Sequence, residues 1–224
     1  MILLFSILFG VGQVQSEEPV ELLELFNNQP VRHEVHSGAE KRFEALSSAV
    51  VEIRNPYGYG TGTVVKYDSQ VFVITAAHVV RGFDSVQVIS ESQNISASIA
   101  YSDAQADLAI LSLSQEIEVR PLKLKPRRSP ARIGEELAYC GYPNRTDVAC
   151  FKGSVSITGD SFVNLHSYAW KGASGSLVVD SRGRAVGVVS AVEVGHFLGM
   201  PALIEDIVWI KPLSDEFYEA IEGL

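Results

Sequence analysis

From residue 47 onward the chain is a succession of short runs rich in strand-forming residues, each closed by Gly, Asn, Asp or Ser. Val71-Phe72-Val73-Ile74 and Leu108-Ala109-Ile110-Leu111 are the clearest. The pattern predicts strands at 49–53, 61–66, 70–75, 85–89, 96–101 and 108–113. After a Pro/Arg-rich stretch it predicts six more, at 136–140, 150–158, 162–166, 176–179, 185–191 and 197–198. Many short strands at a spacing of roughly ten residues indicate an all-β sandwich or barrel. The set divides evenly at the proline-rich segment 121–130. The expected architecture is therefore all-β, with two six-stranded barrels over residues 47–120 and 131–212.

The two ends read differently. Ser214 is a candidate helix cap, and Asp215 and Glu216 suit the positive end of a helix dipole. Leu213, Phe217 and Ile221 follow at i, i+4 and i+8, the apolar stripe of a helix docked on a barrel; a C-terminal helix is expected over 213–224. Residues 17–46 form an acidic, then mixed, extension, in which "VELLELF" (20–26) fits a short amphipathic helix with Leu22, Leu23 and Phe26 on one side. The apolar run from Ile2 to Val11 is shorter than the roughly twenty residues a membrane helix needs. It fits a signal peptide over 1–16, cleaved near Ser16. The expected location is secreted or periplasmic, with a membrane anchor as the alternative if the run is retained.

Composition narrows the function. With 46% hydrophobic and 20% charged residues in 224, the chain has the material for a real core. A formal net charge of −9 argues against a nucleic-acid partner, which requires a dense cationic footprint. Lys123, Lys125, Arg127, Arg128 and Arg132 form the one basic cluster, interrupted by Pro126 and Pro130, and read as a solvated linker. Cys140 and Cys150 are too few for a zinc site, so no metal is expected. They flank the turn-rich "GYPNRTDVA" and can face each other across a hairpin, as a disulfide in an exported chain or as two strand thiols in a cytosolic one.

Three segments carry candidate chemistry. In "TAAHVV" (75–80) a single imidazole, His78, follows an apolar strand. A histidine there is either packed in a core or is a general base, which needs a nucleophile beside it and an acceptor behind it. Asp107, directly before the strand 108–113, is the candidate acceptor, and Asp103, in the loop-like "SDAQ", is its rival. Ser174, in "KGASGSLVV", is the candidate nucleophile, since a serine hydroxyl needs a base to become reactive. Gly172 and Gly175 permit a tight turn there, whose Gly172 and Ser174 amides are positioned to form an oxyanion hole.

The chain order His78, Asp107, Ser174 resembles the chymotrypsin-like serine proteases, in which a triad of these three residue types performs acyl transfer. The resemblance covers about residues 47–212 and rests on "TAAHVV", "DLAIL" and "GASGS", which look like the family's three catalytic motifs. "YGTGTVV" resembles its Gly-rich first hairpin, and "GVVSAV" (187–192) its substrate-lining strand. The spacings of 29 and 67 residues resemble the compact bacterial and viral members and the HtrA/Deg proteases, with the likeness confined to the protease core. The resemblance implies two β-barrels with a cleft between them, a polypeptide substrate and no cofactor. It places Tyr168, Ala169 and Trp170 at the border of the primary pocket, and Ser190, Ala191 and Val192 in its opposite wall. No acidic residue stands where trypsin-type members recognise Arg or Lys. Ala173 replaces the aspartate that pairs with a new N-terminus in digestive members, so activation by that ion pair is not expected. The competing reading is a catalytically silent binding or scaffolding protein that keeps the same fold.

Overall fold

The computed structural model describes residues 38–145, 147–197 and 200–224. The 2–11 run, the candidate cleavage site and the 20–26 helix lie outside these residues. The first barrel is built from β1 (Val50–Asn55), β2 (Gly58–Tyr67), β3 (Gln70–Thr75), β4 (Ser85–Ile89), β5 (Asn94–Asp103) and β6 (Leu108–Leu113). Its order is β1–β4–β5–β6–β3–β2, and the antiparallel pairing of β2 with β1 closes it. A two-residue strand, β7 (Leu122–Lys123), adds to β2 in parallel. The second barrel is β8 (Glu136–Gly141), β9 (Ala149–Thr158), β10 (Val163–His166), β11 (Leu177–Asp180), β12 (Ala185–Phe197) and β13 (Met200–Pro212), closed in the order β10–β13–β12–β11–β8–β9. Closure pairs each of the twelve barrel strands on both sides, and register shifts at Ile99/Tyr101 and Val189/Ala191 supply the curvature it needs.

The apolar runs fill these barrels. Ile53, Val64, Val73, Ile74, Ile110 and Leu111 are buried in the first, and Leu137, Tyr139, Leu165, Val178, Val208 and Ile210 in the second. Helix α1 (Gly38–Ser47) packs on β8 and buries Leu46. Helix α2 (Ala77–Val80) is a single turn after β3, and α3 (Asp215–Glu222) ends the chain. Ser214 caps α3 by accepting from the Phe217 amide at 3.2 Å. The expected stripe Leu213, Phe217 and Ile221 is buried, and it docks on the first barrel, with Phe217 edge-on to Tyr101 at 5.8 Å. The C-terminal helix thus straps the second barrel's chain back onto the first.

The structure departs from the sequence expectation in three places. Phe197, the described residue of the strand expected at 197–198, is the last residue of β12, and β13 stands where the pattern predicts no strand. Pro201 and the Glu205-Asp206 pair break β13's local apolar pattern, and its pairing with β12 and β10 decides its conformation. Nor is the basic linker uniformly solvated. Arg127 is only 8% exposed. It donates to Glu135 at 2.5 and 2.9 Å and to Asp180 at 3.4 Å, while Arg184 holds Asp180 at 2.7 Å. The middle of the linker is therefore tied into the second barrel, through Arg127, by ion pairs that satisfy one another.

Candidate active site

The question raised by "TAAHVV" has a local answer. The one-turn α2 buries Ala77, Val79 and Val80, and only His78 is left facing out of the core. Asn55 fixes the turn by donating to the Val79 carbonyl at 2.7 Å. Asp107 meets the histidine from the adjacent strand. It accepts from His78 Nδ1 at 3.1 and 2.9 Å through its two oxygens, and from the His78 amide at 2.9 Å. Asp107 sits at φ 53°, a left-handed conformation that Asp tolerates better than most residues, and this turns its carboxylate back toward α2. Its rival Asp103 is committed to the turn itself, accepting from the Gln105 and Ala106 amides at 2.7 and 3.0 Å.

Burial pushes the Asp107 carboxyl upward, but the hydrogen bonds from His78 and Ser190 and the imidazole's charge outweigh it and hold the group below the ordinary Asp range. Asp107 is thus kept ionised, and with Nδ1–H donated to it the His78 Nε2 lone pair is left for another partner.

The Ser190 hydroxyl donates to Asp107 at 2.5 Å. The family resemblance puts this residue in the pocket wall; its side chain braces the carboxylate. Its carbonyl accepts from Ser174 Oγ at 3.3 Å. Ser190 therefore links the His78–Asp107 pair, through its hydroxyl, to Ser174, through its carbonyl, across the two barrels. Ser174 Oγ makes no hydrogen bond to His78 among the described residues, so the hydroxyl sits in the rotamer turned toward Ser190 rather than toward the ring.

The Ser174 turn is clamped by β2. The Thr61 amide donates to the Ser174 carbonyl at 2.8 Å, and its hydroxyl donates to the Gly172 carbonyl at 2.7 Å. That hydroxyl also accepts from the Tyr142 amide at 3.0 Å. This explains why "YGTGTVV" precedes the histidine, a role for Thr61 that its sequence context does not reveal. The turn requires its glycines. A Cβ on Gly172 (φ 103°) would lie 2.3 Å from the Tyr142 carbonyl oxygen, and one on Gly175 (φ 91°) 2.1 Å from that of Thr61. Peptide geometry then aims two donors. The Lys171 carbonyl accepts from the Asn144 amide at 2.8 Å, and the Ala173 carbonyl from the Ser176 amide at 3.1 Å. In trans peptides the Gly172 and Ser174 N–H groups point opposite to these carbonyls. Neither amide makes a hydrogen bond among the described residues.

Cys140 and Cys150 face each other across β8 and β9 and form a disulfide. It closes the base of the loop that carries Asn144. Around the expected pocket, Ala169 is buried and Tyr168 is 40% exposed. The Tyr139 hydroxyl donates to the Tyr168 carbonyl, and Trp170 Nε1 donates to the Tyr168 hydroxyl. Ala191 is exposed, and the Val192 side chain is outside the described set. Among the described residues no cluster of His, Cys, Asp and Glu is arranged to hold a metal ion.

A family model described as a trypsin-like peptidase domain matches residues 60–188, more than half of the chain and all three motif residues. The chain belongs to the trypsin-like peptidase family. Similar family members include a probable periplasmic DegP-like serine endoprotease of Buchnera aphidicola, 24% identical over 61% of this chain and 30% of that protein. The magnetosome formation protease MamE of Paramagnetospirillum magneticum is 28% identical over 66% of this chain and 22% of that protein. The trypsin-like peptidase described here therefore spans less than a third of the length of these curated relatives. Its fold matches that of an inactive form of Rv3671c from M. tuberculosis (TM-score 0.64, 22% identity, 94% of this chain and 95% of that one). It also matches a serine endoprotease from Yersinia pestis (TM-score 0.65, 20% identity, 85% of this chain and 67% of that one). Among the described residues no helix is long and apolar enough to cross a membrane.

Proposed function

We propose that the chain is a serine endopeptidase acting through Ser174, His78 and Asp107. Ser174 Oγ rotates from Ser190 toward His78 Nε2, gives up its proton there and attacks the substrate carbonyl carbon. The resulting oxyanion accepts from the Gly172 and Ser174 amides, each such donor being worth roughly 2.7–4 kcal/mol in hydrolases. Asp107 keeps the imidazole oriented and stabilises its protonated form. As the C–N bond breaks, His78 returns the proton to the departing amine and leaves an acyl-enzyme. Water, deprotonated by His78, then attacks the ester; the proton returns to Ser174 Oγ and the acid product leaves. Neither metal nor organic cofactor enters these steps.

Tyr168, Ala169 and Trp170 would border the residue whose carbonyl is attacked, opposite Ser190, Ala191 and Val192. The substrate is a polypeptide, as the names of the relatives indicate for those proteins. The apolar start of the chain, together with the periplasmic relative, supports a secreted or periplasmic location.

The observation that carries the reading is the His78–Asp107 pair, linked through Ser190 to Ser174, beside a turn whose two inward amides are unpaired. A fluorophosphonate probe is expected to label Ser174 in the wild type. Ser174→Ala should abolish labelling and lower the cleavage rate of a casein-type substrate by more than about 10³-fold. Wild-type cleavage by the alanine variant would remove this mechanism.

A further inference from the structure

Three separate parts of the chain meet at an open pocket of about 420 Å³ that contains none of the motif residues. They are α1, the connection between the barrels, and the turn from β11 to β12. The charged lining has one sign. Lys41, Arg42, Arg120, Lys123, Lys125 and Arg182 line it, and no Asp or Glu does. This occurs on a chain in which 27 acidic residues outnumber 18 Lys and Arg. None of the six cations has an ion-pair partner among the described residues; the ion pairs formed by arginines use Arg54, Arg127, Arg128, Arg145 and Arg184 instead. Leu46 and Val179 are each only 1% exposed and give the pocket an apolar floor.

Six like charges around one small concavity repel one another, and an apolar wall strengthens their joint field in the opening. A ligand that relieves this repulsion must bring several negative charges into a space of ordinary small-molecule size, roughly 300–1,000 Å³. A carboxylate brings one. Phosphoryl groups concentrate more charge and present oxygens that match the planar forks of three arginines, with the lysines as point charges. A strand of nucleic acid fits less well, since it needs a groove along which successive phosphates track. We infer that this pocket binds a phosphate-bearing anion, either a free polyphosphate of diphosphate size or a phospholipid headgroup that carries two phosphates. Binding would tie α1 to the inter-barrel connection and to the second barrel.

The test uses the full chain, with inorganic pyrophosphate as the soluble probe and vesicles with or without cardiolipin, whose headgroup carries two phosphates, as the lipid probe. Pyrophosphate is expected to raise Tm saturably at fixed ionic strength, where sulfate does not. Arg120→Gln/Lys123→Gln/Arg182→Gln should weaken binding at least tenfold, while Arg81→Gln/Lys152→Gln, removing cations elsewhere, leaves it intact. Fluorophosphonate labelling verifies that each variant is folded. Vesicle co-sedimentation that depends on the same three residues, without a response to pyrophosphate, identifies the headgroup as the source; a response to pyrophosphate identifies the free anion. The inference is overturned if neither probe binds, if the triple variant binds as the wild type does, or if a DNA duplex competes more strongly than either probe at the same salt.

Discussion

Replacing Gly175 by alanine perturbs the seam between the barrels with a single methyl group. The new Cβ would lie 2.1 Å from the Thr61 carbonyl oxygen and 2.3 Å from Thr75 Oγ1, inside the 3.0 Å that real Cβ atoms respect. Thr61 and Thr75 are fully buried strand residues, so neither can simply swing away. Relief requires the turn and β2 to separate by roughly 0.9 Å, the shortfall at Thr61. The left-handed φ of 91° adds strain of about 1–2 kcal/mol for a residue with a side chain. Overpacking typically costs a further 1–3 kcal/mol, so a stability loss of about 3 kcal/mol is expected. The same separation moves Ser174 away from the segment that leads from Thr75 into His78. A misplacement of about 1 Å at a reacting group can cost about 10² in rate. The assay is kcat/KM on a fluorogenic peptide, with Tm measured in parallel. Gly134→Ala is the control, because Gly134 also has a positive φ (81°) but open space at its Cβ position. It should lose stability through strain alone and keep its activity. A Gly175→Ala enzyme within threefold of wild-type kcat/KM and with unchanged Tm would refute the claim that this close approach sets the catalytic geometry.

Three further outcomes are expected. Ser190→Ala removes a hydrogen bond to a charged carboxylate, worth about 1.5–3 kcal/mol, and should lower kcat about tenfold or more with little change in KM; an unchanged kcat would contradict the bracing role. Cys140→Ser/Cys150→Ser opens a crosslink spanning 10 residues, for which the loop-entropy model gives about 3 kcal/mol. A Tm fall of roughly 6–12 °C by calorimetry is expected, and equal melting of the two proteins would contradict it. Glu135 is held below the ordinary Glu range chiefly by its hydrogen bond with Arg127. Its folded state therefore takes up a proton less readily than the unfolded chain. The stabilisation is complete above the unfolded value of about 4.3 and is lost as pH falls through the lowered folded one. The stability gap between wild type and Glu135→Gln should accordingly be widest near neutrality and close in acid; a gap constant from neutral to strongly acidic pH would rule this out.

The parts of the fold that are legible in the sequence are those decided locally. The bounds of β3, β4 and β6 follow from apolar runs cut off by turn residues, and α3 from its cap and stripe. Residues 200–212 are not legible, because Pro201 and the acidic pair disguise a strand specified by its two neighbours. The site divides in the same way. His78, Asp107 and Ser174 announce themselves as polar residues at the ends of apolar runs or in a glycine turn. The hydroxyls of Thr61 and Ser190 do not, since a Thr or Ser in a strand is unremarkable until the barrels bring it to its partner. The cationic pocket is hidden for a related reason. Only two of its six charges lie in the basic linker; the others come from α1, from Arg120 at the linker's edge and from the turn at Arg182.

Peptide groups of the Ser174 turn itself help to hold one barrel to the other: Thr61 grips the carbonyls of Gly172 and Ser174, leaving no spacer between scaffold and candidate site. Cohesion and turnover therefore rise and fall together here. A silent variant anywhere along this junction is poor proof that the altered side chain handles protons, and a search for hardier versions of the molecule has little room to work at the junction and far more at the barrels' outer faces.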